Sequence, residues 1–449
     1  MISSAWIASA VRFLRERRRH IAVAVGTLLA ILVAAWWAGL PRGAASPPKI
    51  EPADADARTR SGQGPFTALL WPQSRAPTAR DDELCGYGPV PIVNDFPQIP
   101  PDIQAAGRLA LANLADGLAA RGSDRERAMG LYLRTVAAAL AADAAWQAKN
   151  GACDSYDVPC MPALNRAMQN AAAESQQALV RLATITSDAD AYALAVSSCS
   201  RPPGESPSDG CALLSAAQWA RIEPDNAVPW MLLAVDAQRR GESGTLNGAL
   251  SRASKARYSD PHDEDQIAGL IASDSSEVQS PAVQLELVAL LRGIQAAAAL
   301  GHPYYRLLVQ YCTTSAPADP GRVQTCSDLA ATLIEHGRPV FDVTVGAKIL
   351  EQIGSSDPRL SAILDEAESV RWQWYHLPKL IQESGHGLLS CDSLQALRRN
   401  AAAQARLGES GRLRQQLAAS GLTTAQAAQL WRAERQRLLQ LSQAQKPAQ

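Results

Sequence analysis

From Ile103 to the C-terminal region, apolar residues recur at three- and four-residue spacing, the mark of helices with one buried face. The segments IQAAGRLALANLADGLAARG and RERAMGLYLRTVAAALAADAAWQAKN predict a helical hairpin. They part at Ser123-Asp124, where Ser123 and Glu126 form a capping box that fixes a helix start. Further helices are predicted over Met161–Ala183, Asp188–Cys199, Cys211–Ile222, Asn226–Arg240 and Thr245–Arg257. Downstream, PAVQLELVALLRGIQAAAALG, RPVFDVTVGAKILEQIG and PRLSAILDEAESVRWQWYHL repeat the pattern, with their apolar faces expected in the core. The last such stretch, TTAQAAQLWRAERQRLLQLSQ, predicts a basic, exposed helix. Only GPVPIVNDFPQIPPD, Gly88 to Asp102, lacks a helical period, and its prolines predict an ordered loop laid over the domain. The expected fold class is all-α.

One run is apolar on every side. Ile21 to Leu40, IAVAVGTLLAILVAAWWAGL, has twenty residues without a charge. At helical rise that covers roughly 30 Å, enough to cross a bilayer's hydrocarbon core. Arg12, Arg15, Arg17, Arg18 and Arg19 precede it against a single acid, Glu16, while Arg42 and Lys49 follow. The positive-inside rule then places the N-terminus in the cytoplasm and the rest across the membrane. Trp36 and Trp37, at the far end, read as an interfacial anchor. A cleaved signal would have a shorter apolar run, and Trp36, Trp37 and Pro41 separate this one from the small residues Ala44, Ala45 and Ser46. Either outcome exports the remainder. The expected plan is a basic tail over 1–20, a transmembrane helix over 21–40, a Pro-rich spacer over 41–80 and a periplasmic helical domain over 81–449. The expected location is a bacterial inner membrane, crossed once.

Composition sharpens both expectations. Apolar residues make up 47% but aromatics only 5%, so alanine, the best helix former, supplies much of the hydrophobicity. Lys and Arg number 43 against 44 Asp and Glu, which leaves no electrostatic footprint for nucleic acid. Eight cysteines, an even number, suit disulfides in an oxidising compartment. Cys199 closes one helical run and Cys211 opens the next; Cys312 and Cys326 stand the same way around a second loop. Tyr192, Leu194, Val196 and Cys199 align with Tyr305, Leu307, Val309 and Cys312, an internal repeat of about 113 residues read as duplicated clamped hairpins. Cys153 and Cys160 bracket a short loop and suit a third bridge, which leaves Cys85 and Cys391 for a long-range fourth. Eight cysteines allow many pairings, and sequence alone does not select among them. Zinc would need paired short spacings or nearby histidines, and neither occurs.

The stretch EPDNAVPWMLLAVDAQRRG with ALSRASKARYSDP resembles a tetratricopeptide repeat. Trp230, Leu233, Ala234 and Gly241 stand where that family puts its helix-A tryptophan, leucine, small residue and turn glycine. Ala249, Ala256 and Pro261 match its helix-B alanines and closing proline once the turn is lengthened. Ala237 replaces the family's tyrosine, and no strict period of about 34 residues continues. The resemblance, over about residues 211–261, implies a divergent array of helical hairpins.

Chemistry is sparse by comparison. Nucleophile-elbow, phosphate-loop, dinucleotide and zinc-protease patterns are all missing. IQESGHG, Ile381 to Gly387, resembles the Glu-Ser motif of lytic transglycosylases, which implies Glu383 as an acid that protonates a glycosidic oxygen. The family's downstream glycine-leucine-methionine-glutamine segment and tyrosines do not follow. Histidines 262, 302, 336, 376 and 386 are scattered, and DPHDED around His262 reads as a charged surface loop. The expectation is a non-enzymatic scaffold without cofactor or metal, presenting a surface to another envelope protein or peptide. Trp219, Trp230 and Tyr258 are groove or core positions, with core preferred for the tryptophans.

Overall fold

The computed structural model describes residues 81–93, 96–97, 99–151, 160–199, 210–299, 303–314, 319–383 and 389–444. The basic tail, the run from Ile21 to Leu40 with Trp36 and Trp37, the spacer and Cys153 lie outside the described residues. Among the described residues no helix is long and apolar enough to cross a membrane.

The domain is all-α, with fifteen α-helices among the described residues. Helices α1 (Pro101–Ala119) and α2 (Asp124–Asn150) form the opening hairpin, joined at Ser123, whose Oγ accepts from Glu126 N at 3.2 Å. The two helices cross closely at Gly130, where a Cβ would collide with the main chain of Ala115 and Ala119. α3 (Cys160–Ile185) packs on α2, and α4 (Ala189–Ser198) starts under the cap of Asp188. Then come α5 (Ala216–Ile222), α6 (Ala227–Arg240), α7 (Ser243–Ala253) and the short α8 (Asp263–Ala272). The chain continues as α9 (Pro281–Ala299), α10 (Pro303–Thr314), α11 (Pro320–His336) and α12 (Val340–Gln352), and ends with α13 (Leu360–Glu383), α14 (Cys391–Ala419) and α15 (Thr424–Ala444).

One continuous apolar core runs from Leu111 on α1 to Ala401 on α14. Its hub is α8, which packs on α4, α9 and α14 and buries Ile267, Ala268 and Ile271. The pair α6–α7 is a hairpin turned at Gly241, whose φ of 74° suits glycine.

Disulfides join Cys199 to Cys211, Cys312 to Cys326, and Cys85 to Cys391, the last across 306 residues. Cys160 is also disulfide-bonded.

Four expectations of local structure change. Gly88–Asp102 is not all loop: β1 (Asp81–Leu84) pairs antiparallel with β2 (Gly88–Val93), and β3 (Phe96–Pro97) pairs with β2 in turn. Gly86 and Gly88, with φ of 79° and 91°, make the turn possible. Cys211–Ile222 is not one helix: Cys211–Leu213 is a single 3-10 turn, after which Ser215 caps α5 by accepting from Gln218 N. Cys326 does not head its helix, because α11 begins at Pro320 under the cap of Asp319. Finally, α15 is not simply a solvated face. It buries Ala427, Ala428 and Trp431, packs on α13, and Arg432 reaches Asp365 at 2.9 Å and Glu368 at 2.7 Å.

Candidate functional site

The link between α7 and α8 is stitched into its neighbours before it reaches the site. Asn226 caps α6 through its Oδ1, which accepts from Val228 N and also from Asp260 N, both at 3.1 Å. Its Nδ2 donates to Asp260 O at 2.6 Å. Main-chain bonds then fix Tyr258 to Ala227 and Ser259 to both His336 and Arg338. The segment thus ties the α6 start to the α11–α12 link, with no slack left at Pro261.

His262 follows with φ 68° and ψ −35°, and it is the only non-glycine with positive φ among the described residues. Asp263 N donates to Pro261 O at 3.0 Å, closing a γ-turn around it. Such a backbone persists only where its surroundings over-determine it. They do so here. His262 Nδ1 lies 2.6 Å from Asp190 Oδ1, and Nε2 lies 2.8 Å from Glu223 Oε1. With a carboxylate on each ring nitrogen, both nitrogens donate and the ring is an imidazolium. Burial by itself would lower its pKa, but the hydrogen bonds to Asp190 and Glu223, with the charges of Asp260 and Glu223, push it up to about 11. The same contacts hold Asp190 and Glu223 below the usual carboxylate range, although burial opposes them.

Glu223 is fully engaged. Trp219 Nε1 donates to it at 2.9 Å, Asn226 Nδ2 at 3.0 Å and the Tyr258 hydroxyl at 2.8 Å. Trp219 is therefore core, and Tyr258 braces the charge cluster. Trp230, on α6, is half-buried, donating to Pro224 O at 2.9 Å with the Arg252 guanidinium 5.0 Å from its ring.

The reading of DPHDED as a surface loop is overturned: Asp260, Asp263 and Glu264 are 8%, 7% and 5% exposed. Their charge is dispersed into separate networks. Arg338 Nε sits 3.0 Å from Asp260 and also pairs with Asp265, while its Nη2 donates to Ala405 O. Asp263 accepts from Ser197 Oγ at 2.8 Å, and Glu264 accepts from Gln404 Nε2 at 3.4 Å. Three acids in the first turn of α8 also gain from the helix dipole. Even so, burial and the neighbouring charge of Asp260 push Asp265 up to about 7 against the pull of Arg338. Glu264 is raised by burial and by the charge of Glu409.

Beside this cluster opens a cleft of about 550 Å³ between α1, α2 and α8. Leu114, Leu118, Met129, Leu270 and Val278 form its apolar wall. Asp190, Asp260, His262, Asp265 and Arg338 form its charged end, and Arg121 and Arg125 stand on the opposite hairpin. The volume lies within the range of ligand clefts, but the lining is far more charged than in the mostly apolar pockets that hold small molecules.

No known family matches this chain. No curated protein and no solved structure resembles it closely enough to lend a fold or a function.

Function must therefore be argued from the cleft. An imidazolium held by two carboxylates has no lone pair to act as a base. Among the described residues no group of His, Cys, Asp or Glu is arranged to hold a metal ion. Glu383 is the last residue of α13, and Ser384 to Gly387 of the same motif lie outside the described residues. The residues that sequence missed, Asp190, Glu223 with Asn226, and Arg338, come from three separate places in the chain.

Between about pH 5 and 9 the raised groups all act in one direction. His262 keeps its proton up to about 11, whereas in the unfolded chain an imidazole loses it near ~6.5. Its contribution to stability is thus complete below that lower value and fades as pH rises. Asp265, Asp342 and Glu286, pushed by burial to about 7, are protonated in the fold where the unfolded chain has lost the proton. They too weaken the fold as pH rises toward neutrality. The lowered carboxyls, Asp190 and Glu223, contribute fully above the ordinary carboxylate range. The melting temperature is expected to fall steadily between about pH 5 and 9. A rise over that interval in a calorimetric series would contradict the assignment.

Proposed function

We propose that the chain is a single-pass, inner-membrane-anchored scaffold whose exported helical domain binds a segment of another envelope polypeptide in the cleft beside His262, without catalysing a reaction. The carrying observation is that cleft: roomy, half apolar, and lined by charged groups already paired with one another. Pre-paired charges on rigid elements cost little to organise when a ligand arrives, which favours recognition. The tether rests on the charge-free run from Ile21 to Leu40 and the arginines before it, and the Pro-rich spacer would hold the domain clear of the bilayer. The resemblance of the α6–α7 region to a tetratricopeptide repeat supports a protein ligand over a small metabolite.

A photo-crosslinking residue placed in cells at Glu126, Leu270 or Ser275, cleft positions that are not buried, is expected to give one adduct of the same mass at all three. Placed at Leu430, which is exposed on α15, it should give none of that mass. Unrelated adducts at every position would refute the cleft as the binding site. The alternative built on Glu383 expects muropeptides released from cell wall and lost in Glu383→Gln; a scaffold releases none.

A further inference from the structure

Gly408 interrupts α14. Its φ of 73° and ψ of 170° are not helical, and a Cβ there would lie 2.8 Å from Arg338 Cβ and 2.9 Å from its Cα. The α11–α12 link therefore presses directly on the break, and it also supplies bonds that the interrupted helix lacks. Ser410 N donates to Arg338 O at 2.9 Å, and the Ser410 hydroxyl donates to Pro339 O at 2.8 Å. In return Glu409 accepts from Val340 N at 3.0 Å.

The break divides the packing as well. The continuous core reaches α14 at Ala401. Past Gly408, Leu413 packs instead with Val340 and Val370, while Ala367 of α13 packs with Val343 and Ala347. The second half of α14, with α13 and the α15 that packs on it, thus rests mainly on α12 as a module of its own.

Arg338 joins this break to the cleft. Its guanidinium pairs with Asp260 and Asp265 and donates to Ala405 O at 3.0 Å, in the last turn before the break. Arg338 and Ala405 both line the cleft, and the Arg338 side chain is 28% exposed, within reach of a ligand. Its side chain therefore holds the first half of α14 and its carbonyl holds the second. A ligand in the cleft competes for that side chain, and any shift of the Arg338 main chain is felt at once by Gly408. Small shifts at a site become movements of whole elements through junctions of this kind.

We propose that Gly408 is a hinge and Arg338 its pin, so that a polypeptide seated in the cleft draws Arg338 inward and loosens the module of α13, α15 and the second half of α14. This rests on the cleft being a polypeptide-binding site. A ligand shifts such an equilibrium only through contacts that differ between the two arrangements, and Arg338 supplies that difference.

The test uses the full chain in detergent micelles, carrying the photo-crosslinking residue at Ser275, and compares amide hydrogen exchange with and without the adduct. The Val340 and Ser410 amides bridge the break and are expected to exchange at least ~5-fold faster in the adduct. Amides from Leu394 to Asn400, in the first half of α14, should keep their rates. Gly408→Ala is expected to reach the faster rate without an adduct, because its Cβ displaces the Arg338 link. Should that variant not fold, the comparison with and without adduct still decides.

Unchanged exchange at Val340 and Ser410 in the adduct would overturn the hinge and leave the cleft reading standing. Acceleration extending equally to Leu394–Asn400 would place the movement outside Gly408 and overturn it too. Absence of an adduct at Glu126, Leu270 and Ser275 alike would bring down both readings.

Discussion

His262→Ala is expected to remove about 3–5 kcal/mol of stability, the usual cost of leaving buried charges without their counter-ion. The substitution strands Asp190 and Glu223, which stay largely buried and lose a shared hydrogen-bond donor. Trp219, Asn226 and Tyr258 still donate to Glu223, so Asp190 carries more of the penalty, with the partly exposed Arg125 as its remaining partner. His262→Gly should be milder by about 1 kcal/mol, because glycine adopts the positive φ at that position without strain. Adding Glu223→Gln to His262→Ala should restore part of the loss, since a neutral amide tolerates the vacated space better than a carboxylate. Denaturant unfolding measures all three. A loss under about 1 kcal/mol for His262→Ala would show the cluster to be solvated and screened.

Replacing Cys85 and Cys391 together by serine is expected to lower stability by about 5 kcal/mol, because in the chain-entropy account the cost grows with loop length. This bridge spans 306 residues, against 12 and 14 for Cys199–Cys211 and Cys312–Cys326, whose loss should cost about 3 kcal/mol each. Local contacts do little to substitute for it. Leu84, Val90 and Leu389 form a small cluster of their own, and Cys85 N donates to Leu389 O at 2.9 Å. Without the bridge the β1–β2 hairpin should exchange its amides faster than α1, as seen by hydrogen exchange. Equal destabilisation by all three cysteine pairs would contradict the ranking.

Much of the helical framework was legible because its signals are local. Ser123 before Glu126 and Asp188 before Ala191 mark helix starts through their own side chains, and the alanine-rich apolar stripes supply the period. The β1–β2 hairpin was hidden by Pro89 and Pro91, residues that weigh against strands yet are tolerated in a short sheet. Ser215 hid the break after Cys211 because its neighbours continue an apolar run.

The site was least legible. In sequence, DPHDED is a dense charge run of the kind that sits in water. What buries it is Arg338 from the α11–α12 link, Asp190 from α4 and Glu223 after α5. Local sequence carries no trace of those approaches. A hint lay in Pro261 before a histidine and three consecutive acids, since an acidic first turn is a helix-start signal and a helix starting there has to face its neighbours.

The disulfides and the envelope partner both presuppose export of residues 81–449. Fusing alkaline phosphatase or a cytoplasm-only fluorescent protein after residue 60, within the spacer, tests that directly. The account predicts phosphatase activity without fluorescence, and loss of that activity when the five arginines from Arg12 to Arg19 become glutamate. Fluorescence without phosphatase activity would contradict it.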